Sequence, residues 1–343
     1  MMTKVKTIVS NLLPKSRFAR GVAALSTATA VGQAIAVFTS PIITRLYSPD
    51  DFGVLAVYTA ILGIVTAVSS LRYELAIPLP YSQGSAANVF ALSLITLTGV
   101  SALSCLVVVF WGEQIVTWSN TPQLGAYLWL LPLGIALGGA YQVFNYWALR
   151  RQAFGRLART QVQQGGGMAI TKIALGLAEF GTLGLIIGQV IGQCAGLGSL
   201  VYGALREDGK ILKRIRFSRI RWAARRYRQF PLYSTWSALA NAAGTRLPLM
   251  LFASFFSPAV AGLYMLGYRV LHMPMELLGN SIGKVFHASA AEARRDNRLG
   301  DVTLQVFNVL VRIGIGPMVL LAVVAPELFS FVFGPDWCEA GVY

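Results

Sequence analysis

The sequence predicts an all-α polytopic membrane protein built as two parallel six-helix lobes, the second incomplete in this chain. Three observations carry that prediction: membrane-length apolar runs, basic residues confined to alternate loops, and a Ser-Pro-x-x-x-Gly turn that occurs twice.

Hydrophobic residues make up 55% of the 343 residues and charged ones only 13%, with a mean hydropathy of +0.59. A water-soluble globule of this length is not that apolar. The apolar residues gather into nine runs, near 19–43, 52–74, 86–110, 122–148, 157–178, 182–205, 231–254, 258–282 and 302–324. Each is long enough to cross a hydrocarbon core about 30 Å thick as a helix. A tenth begins as the chain stops. Barrel strands would alternate apolar and polar residues, and 86–110, AANVFALSLITLTGVSALSCLVVVF, does not. The 34 glycines, many inside the runs as in LGLIIGQVIGQCAGLG (183–198), predict closely packed helices.

The first run, GVAALSTATAVGQAIAVF after a basic start, has the outline of a secretory signal with a small-residue site at 28–30. Its length and the eight spans that follow it argue for a first membrane helix. Cys105, Cys194 and Cys338 are odd in number, and two lie inside runs, so neither a disulfide framework nor a metal cluster is expected.

Net charge is +15, and its placement matters more than its size. Alternate loops hold Lys4, Lys6, Lys15, Arg17 and Arg20; Arg72; Arg150, Arg151, Arg156 and Arg159; ten cations from Arg206 to Arg228; and Lys284, Arg294, Arg295 and Arg298. That is 24 of the 29 Lys and Arg, which predicts a cytoplasmic N-terminus. In the segment 206–230, REDGKILKRIRFSRIRWAARRYRQF, Ile211, Ile215, Ile220, Trp222 and Tyr227 interleave with the cations. This predicts an amphipathic helix lying on anionic lipid. A nucleic-acid role would need a stacking module that nothing else in the chain supplies.

SPDDFG at 48–53 and SPAVAG at 257–262 stand 209 residues apart, each between the first and second helix of its set. Proline suits the start of the returning helix and glycine its close packing. With Pro41 and Pro248 in the preceding helices, the pattern reads as a parallel two-repeat transporter. The expected parts are a cytoplasmic segment 1–18, an N-lobe 19–205, a basic linker 206–230 and a partial C-lobe 231–343. LGAY at 124–127 corresponds to AGVY at 340–343, so about three further helices are expected for equal halves.

The run FTSPIITRLYSPDDFGVLAVYTAILGIVTAVSSLRYELAIPLP (38–80), with ALRRQAFGRLARTQV (148–162) and FVFGPDWCEAGVY (331–343), resembles the bacterial polysaccharide and O-antigen flippases. These belong to the multidrug/oligosaccharidyl-lipid/polysaccharide exporter (MOP) superfamily. The resemblance covers nearly the whole chain in order. It implies two lobes around a central cavity and transport of undecaprenyl-pyrophosphate-linked oligosaccharide between leaflets. It implies bilayer lipids, a polysaccharide polymerase and chain-length machinery as partners. No cofactor is implied.

Catalytic patterns are missing: no HExxH, P-loop or GxGxxG followed by an acid occurs, and His272 and His287 complete no triad. A membrane glycosyltransferase or ligase would bring a sizeable soluble domain or a long outer loop. A cation-coupled multidrug exporter of the same superfamily would need carboxylates at membrane depth. Instead the deep charges are Lys172, Arg246, Arg269 and Arg312, against the single acid Glu276. The four cations are the expected binding set for an anionic pyrophosphate. Glu276 is either a coupling site or the partner of Arg269, and the cations either line a cavity or lock the bundle. Lys172 could also snorkel outward. Arg269, His272, Met273 and Glu276 share one helical face.

Overall fold

The computed structural model describes residues 17–272 and 299–342. Among these the chain is helical. Helices α1 (Arg17–Phe38) and α2 (Ser40–Leu46) together fill the first apolar run. They are separated at Thr39, just before Pro41, whose ring cannot sit inside a continuous helix without loss of a hydrogen bond. Helix α3 (Pro49–Val68) starts from a capping box. The Ser48 Oγ accepts from the Asp51 amide at 3.2 Å, and the Asp51 carboxylate accepts from the Ser48 amide at 3.0 Å. Such a cap contributes about 1 kcal/mol, and Asp50 and Asp51 complement the positive end of the helix dipole.

Helix α4 (Gln83–Trp118) is 36 residues long and runs well past the apolar stretch that predicted it. A 3-10 turn at Pro122–Tyr127 precedes α5 (Leu130–Arg150), and α6 (Phe154–Leu177) follows. The run 182–205 is two helices, α7 (Thr182–Cys194) and α8 (Leu197–Leu212), not one. The break sits at Gly196, whose φ of +86° lies in the left-handed region. A short helix α9 (Phe217–Arg226) and a π turn (Phe230–Ser234) lead into α10 (Thr235–Phe255). Then α11 covers 258–272, α12 (Leu299–Phe333) spans 35 residues, and the described chain closes on a 3-10 turn, Pro335–Gly341.

Four described stretches are long and apolar enough on their own to cross a membrane: Ala23–Leu46, Pro49–Val68, Gln83–Trp118 and Thr182–Leu212. Helices α5, α6 and α10 have membrane length, 21, 24 and 21 residues. Their polar residues keep them below that measure, and some of those residues face other helices. The Tyr141 hydroxyl of α5, for instance, bonds the Thr160 hydroxyl of α6 at 2.9 Å.

Burial separates central from peripheral helices. In α3, 61% of the most apolar window is buried, whereas in α4 it is 17%. Leu103, Leu106, Val109, Phe110 and Trp111 of α4 are exposed, the surface a bilayer would cover. Around α3 the main core joins Phe52, Leu55, Tyr58 and Leu62 to Leu131 and Ile135 of α5, Leu185 and Ile186 of α7, Leu266 of α11, and Phe329 and Trp337. A second core at the opposite end collects Tyr73, Ile77, Phe90, Trp147, Ile220 and Ala223.

Two short elements inside the stretches 38–80 and 331–343 act as ties. In Arg-Tyr-Glu, Arg72 pairs with Glu74 at 3.6 Å, and the Tyr73 hydroxyl donates to the Ala224 carbonyl of α9 at 3.3 Å. In Phe-Gly-x-x-Trp, Gly334 adopts φ +113°. That turn sends Trp337 into the core, where its Nε1 donates to the Thr44 carbonyl at 2.9 Å and its ring meets Phe52 edge-on at 4.8 Å. The basic segment is not a free linker. α9 packs Ile220 and Ala223 inward, while Glu207 and Asp208 of α8 pair with Arg156 and Arg151, the latter at 2.9 Å.

Candidate functional site

Arg246 leaves α10 and lies flat across α3. Its Nη1 donates to the Thr59 carbonyl at 3.1 Å, and the guanidinium covers Gly63, where any Cβ would collide with it. The sequence spacing Thr59 to Gly63 is one helical turn, so acceptor and gap share a face. Arg269 of α11 reaches the other way, and its Nη2 approaches the Ala36 carbonyl of α1 at 3.5 Å. Lys172 of α6 is only 4% exposed. Its Nζ donates to the Gln189 side chain of α7 at 3.1 Å, its stem packs on Gly188, and its own carbonyl accepts from the Tyr47 hydroxyl at 2.7 Å. Arg269 is near enough for the two positive charges to repel.

Three of the four expected cations thus stand at seams between helices, and the seams α3–α10 and α1–α11 join the early part of the chain to the late part. Arg312 of α12 is exposed. Glu276 lies outside the described residues, as does Met273, while His272 stacks on Tyr268 at 4.9 Å. Gln189, Thr59 and Gly63 escaped the sequence reading. Gln189 had a signal, a lone amide inside the apolar stretch LGLIIGQVIGQ. The role of Thr59 and Gly63 depends on which side chain arrives from α10.

Among the described residues the salt bridges are Arg72–Glu74, Arg151–Asp208 and Arg156–Glu207. All lie in the connections and helix ends that share an end of the bundle with α9. Lys172, Arg246 and Arg269 are held by carbonyl or amide oxygens instead, with no acid among the described residues against them. An arginine has five N–H donors. The bond to Thr59 leaves most of Arg246's capacity for another acceptor. A charge at membrane depth costs from about 2.5 kcal/mol upward, which is why such groups face protein or a water-filled cavity.

At the other end of the bundle the Ser-Pro turns meet. A Cβ on Gly53 would collide with the Pro258 carbonyl, and one on Gly262 with the Pro49 carbonyl. The Ser257 Oγ accepts from the Val260 amide at 3.3 Å, repeating the Ser48 cap without its acid.

Comparison with known proteins agrees with this architecture. The family model described as "Polysaccharide biosynthesis protein" matches residues 42–341. No curated protein sequence matches the chain. Among solved structures, a multidrug-resistance transporter of the MATE family and MOP superfamily, in an inward-facing conformation, aligns with TM-score 0.68 and 15% identity, over 94% of this chain and 79% of that one. A mutant MATE protein aligns with TM-score 0.56 and 14% identity, over 95% and 78%. The likeness to these structures establishes the fold, an all-helical bundle of the two-lobed MATE type. The family match over 42–341 bears out the resemblance seen in the sequence and shows that the chain belongs to the polysaccharide biosynthesis protein family.

Proposed function

We propose that the protein is a flippase that moves undecaprenyl-pyrophosphate-linked oligosaccharide across the bacterial inner membrane for O-antigen or exopolysaccharide assembly. The observation that carries this reading is the set of interior cations, Lys172, Arg246 and Arg269, held by neutral oxygens with no acid against them among the described residues. A pyrophosphate supplies the missing negative charge and accepts charge-assisted, bidentate bonds from a guanidinium. Arg312, on the late part of the chain, belongs to the same binding set, and Glu276 is the coupling candidate.

The lobes are 19–205 and 231–343, joined through 206–230, with the N-terminus and the basic end in the cytoplasm. The reciprocal glycine contact then closes the periplasmic end, and the lobes rock about it to expose the cations to one side at a time. A polymerase and chain-length machinery receive the product. A multidrug exporter of the same superfamily is the second reading, favoured by the fold of the MATE structures alone. The sign of the described interior charge opposes it.

The test is flipping of lipid-linked oligosaccharide by Arg269→Ala and Arg312→Ala variants, with membrane protein levels measured alongside and Lys replacements for comparison. The expected result is loss of transport at normal protein level, partly restored by Lys. Normal transport by both alanine forms overturns the binding role, and loss of protein together with transport assigns the arginines to bundle stability.

A further inference from the structure

The basic segment does more in the structure than join two lobes. From Lys213 to Arg228 the chain exposes eight cations, Lys213, Arg214, Arg216, Arg219, Arg221, Arg225, Arg226 and Arg228, and 209–230 contains no acid. The two acids just before it are spent on Arg156 and Arg151. On α9 the inward face is Ile220 and Ala223, and Trp222 stands on the far side, 57% exposed, between Arg221 and Arg225. A tryptophan turned away from its own core among arginines suits neither water nor a protein interior. It suits the level of lipid headgroups, where an indole is half wetted.

A second wall faces it. The turn after Ala76 is pinned by Arg150, whose Nη1 donates to the Ile77 and Pro78 carbonyls at 3.2 and 2.9 Å. It presents Leu79 and Tyr81, 58% and fully exposed. Between this turn and α9 lies a cleft of about 610 Å³ lined by Tyr81, Ser82, Trp222, Arg226 and Tyr227. The cleft sits at the foot of α4, beside Ser85.

We propose that α9 and the 79–82 turn form a docking site for an anionic phospholipid of the leaflet that meets this end of the protein. The occupant follows from charge complementarity, eight exposed cations without an acid among them, beside the exposed rings of Trp222 and Tyr81. Arg226 and its neighbours hold the phosphate and the acidic headgroup, while Trp222 and Tyr81 wedge at the glycerol level. The attraction of the exposed cations to an anionic surface is screened by salt. The site is independent of the substrate that the central cations carry, so it stands or falls apart from the flippase reading.

The experiment reconstitutes the whole chain in phosphatidylcholine bilayers doped equally with brominated phosphatidylglycerol or brominated phosphatidylcholine. The fluorescence of Trp222 is taken as the difference between wild type and Trp222→Phe. The expected result is at least about twofold stronger quenching by the anionic brominated lipid, fading at molar salt. Replacing Arg219, Arg221, Arg225 and Arg226 by Gln removes the preference, and added inorganic pyrophosphate does not compete. Equal quenching by both lipids, or a preference that survives salt in the wild type, overturns the proposal without need of any variant of the arginines. Competition by pyrophosphate also overturns it, in favour of a free-anion site.

Discussion

Gly53 and Gly262, equivalent residues of two turns 209 positions apart, pack against each other's turn: each leaves room for the carbonyl of the proline that opens the other's helix. The Gly53 amide nitrogen would lie 2.8 Å from a Cβ on Gly262. Backbone against backbone at this range admits no side chain, and the atoms in the way cannot swing aside. Gly53→Ala and Gly262→Ala are each expected to destabilise the protein by about 1–3 kcal/mol, as overpacking does. Both changes force open the same crossing, so the double variant should cost less than the sum. Thermal unfolding of the two singles and the double checks this, and strict additivity would refute a shared contact.

Gly63 predicts the opposite division between stability and function. Its Cβ would meet the end of a flexible side chain, the Arg246 guanidinium, rather than backbone. Gly63→Ala is therefore expected to displace Arg246 from the Thr59 carbonyl while changing stability by less than about 1 kcal/mol. Transport should fall at unchanged protein level. Wild-type transport by this variant would show that the seated position of Arg246 is not the working one.

Trp337 is 1% exposed and is the donor to Thr44. Trp337→Phe keeps the contact with Phe52 but leaves that carbonyl unpaired, for an expected cost of about 1–3 kcal/mol. Trp337→Ala adds a cavity and should cost about 3–5 kcal/mol. Melting temperatures in one detergent order the three proteins.

Glu74, past the end of α3, is 1% exposed, accepts from the Ser70 hydroxyl and pairs with Arg72. Burial holds its carboxyl above the ordinary value of 4.5, and the bonds to Ser70 and the charge of Arg72 offset only part of that rise. A raised folded pKa contributes stability that is complete below the unfolded value and fades as pH climbs through the folded one. Wild type should therefore lose stability as pH rises above 4.5, and Glu74→Gln, which cannot ionise, should not. Melting curves across that range for both proteins decide the matter; parallel curves would mean that Glu74 does not titrate there.

A periplasm-active reporter fused after Trp118 is expected to be active, and fusions after Arg159 or Arg221 inactive. The reverse pattern would overturn the orientation drawn from the loop charges.

The helical membrane architecture was legible because it depends on local quantities: how long an apolar run is, which loops carry cations, and where Ser-Pro ends one helix and starts the next. The capping box at Ser48 and Asp51 is equally local, written within four residues. Everything that joins distant segments had to await the fold. Periodicity shows that a glycine or cation shares a helical face with its neighbours, but not which helix that face meets. Hence Arg246 over Gly63, Lys172 against Gln189, Trp337 beneath Thr44 and Asp208 between Trp147 and Arg151 came only from packing. Packing also decided that Lys172 is buried while Arg312 is exposed, although both sit in apolar runs. The repeated turn marks the boundary between the two kinds of knowledge. Its two copies are visible in the chain, whereas their mutual contact is a consequence of how the bundle closes, since a close approach of backbones depends on all the helices that steer it.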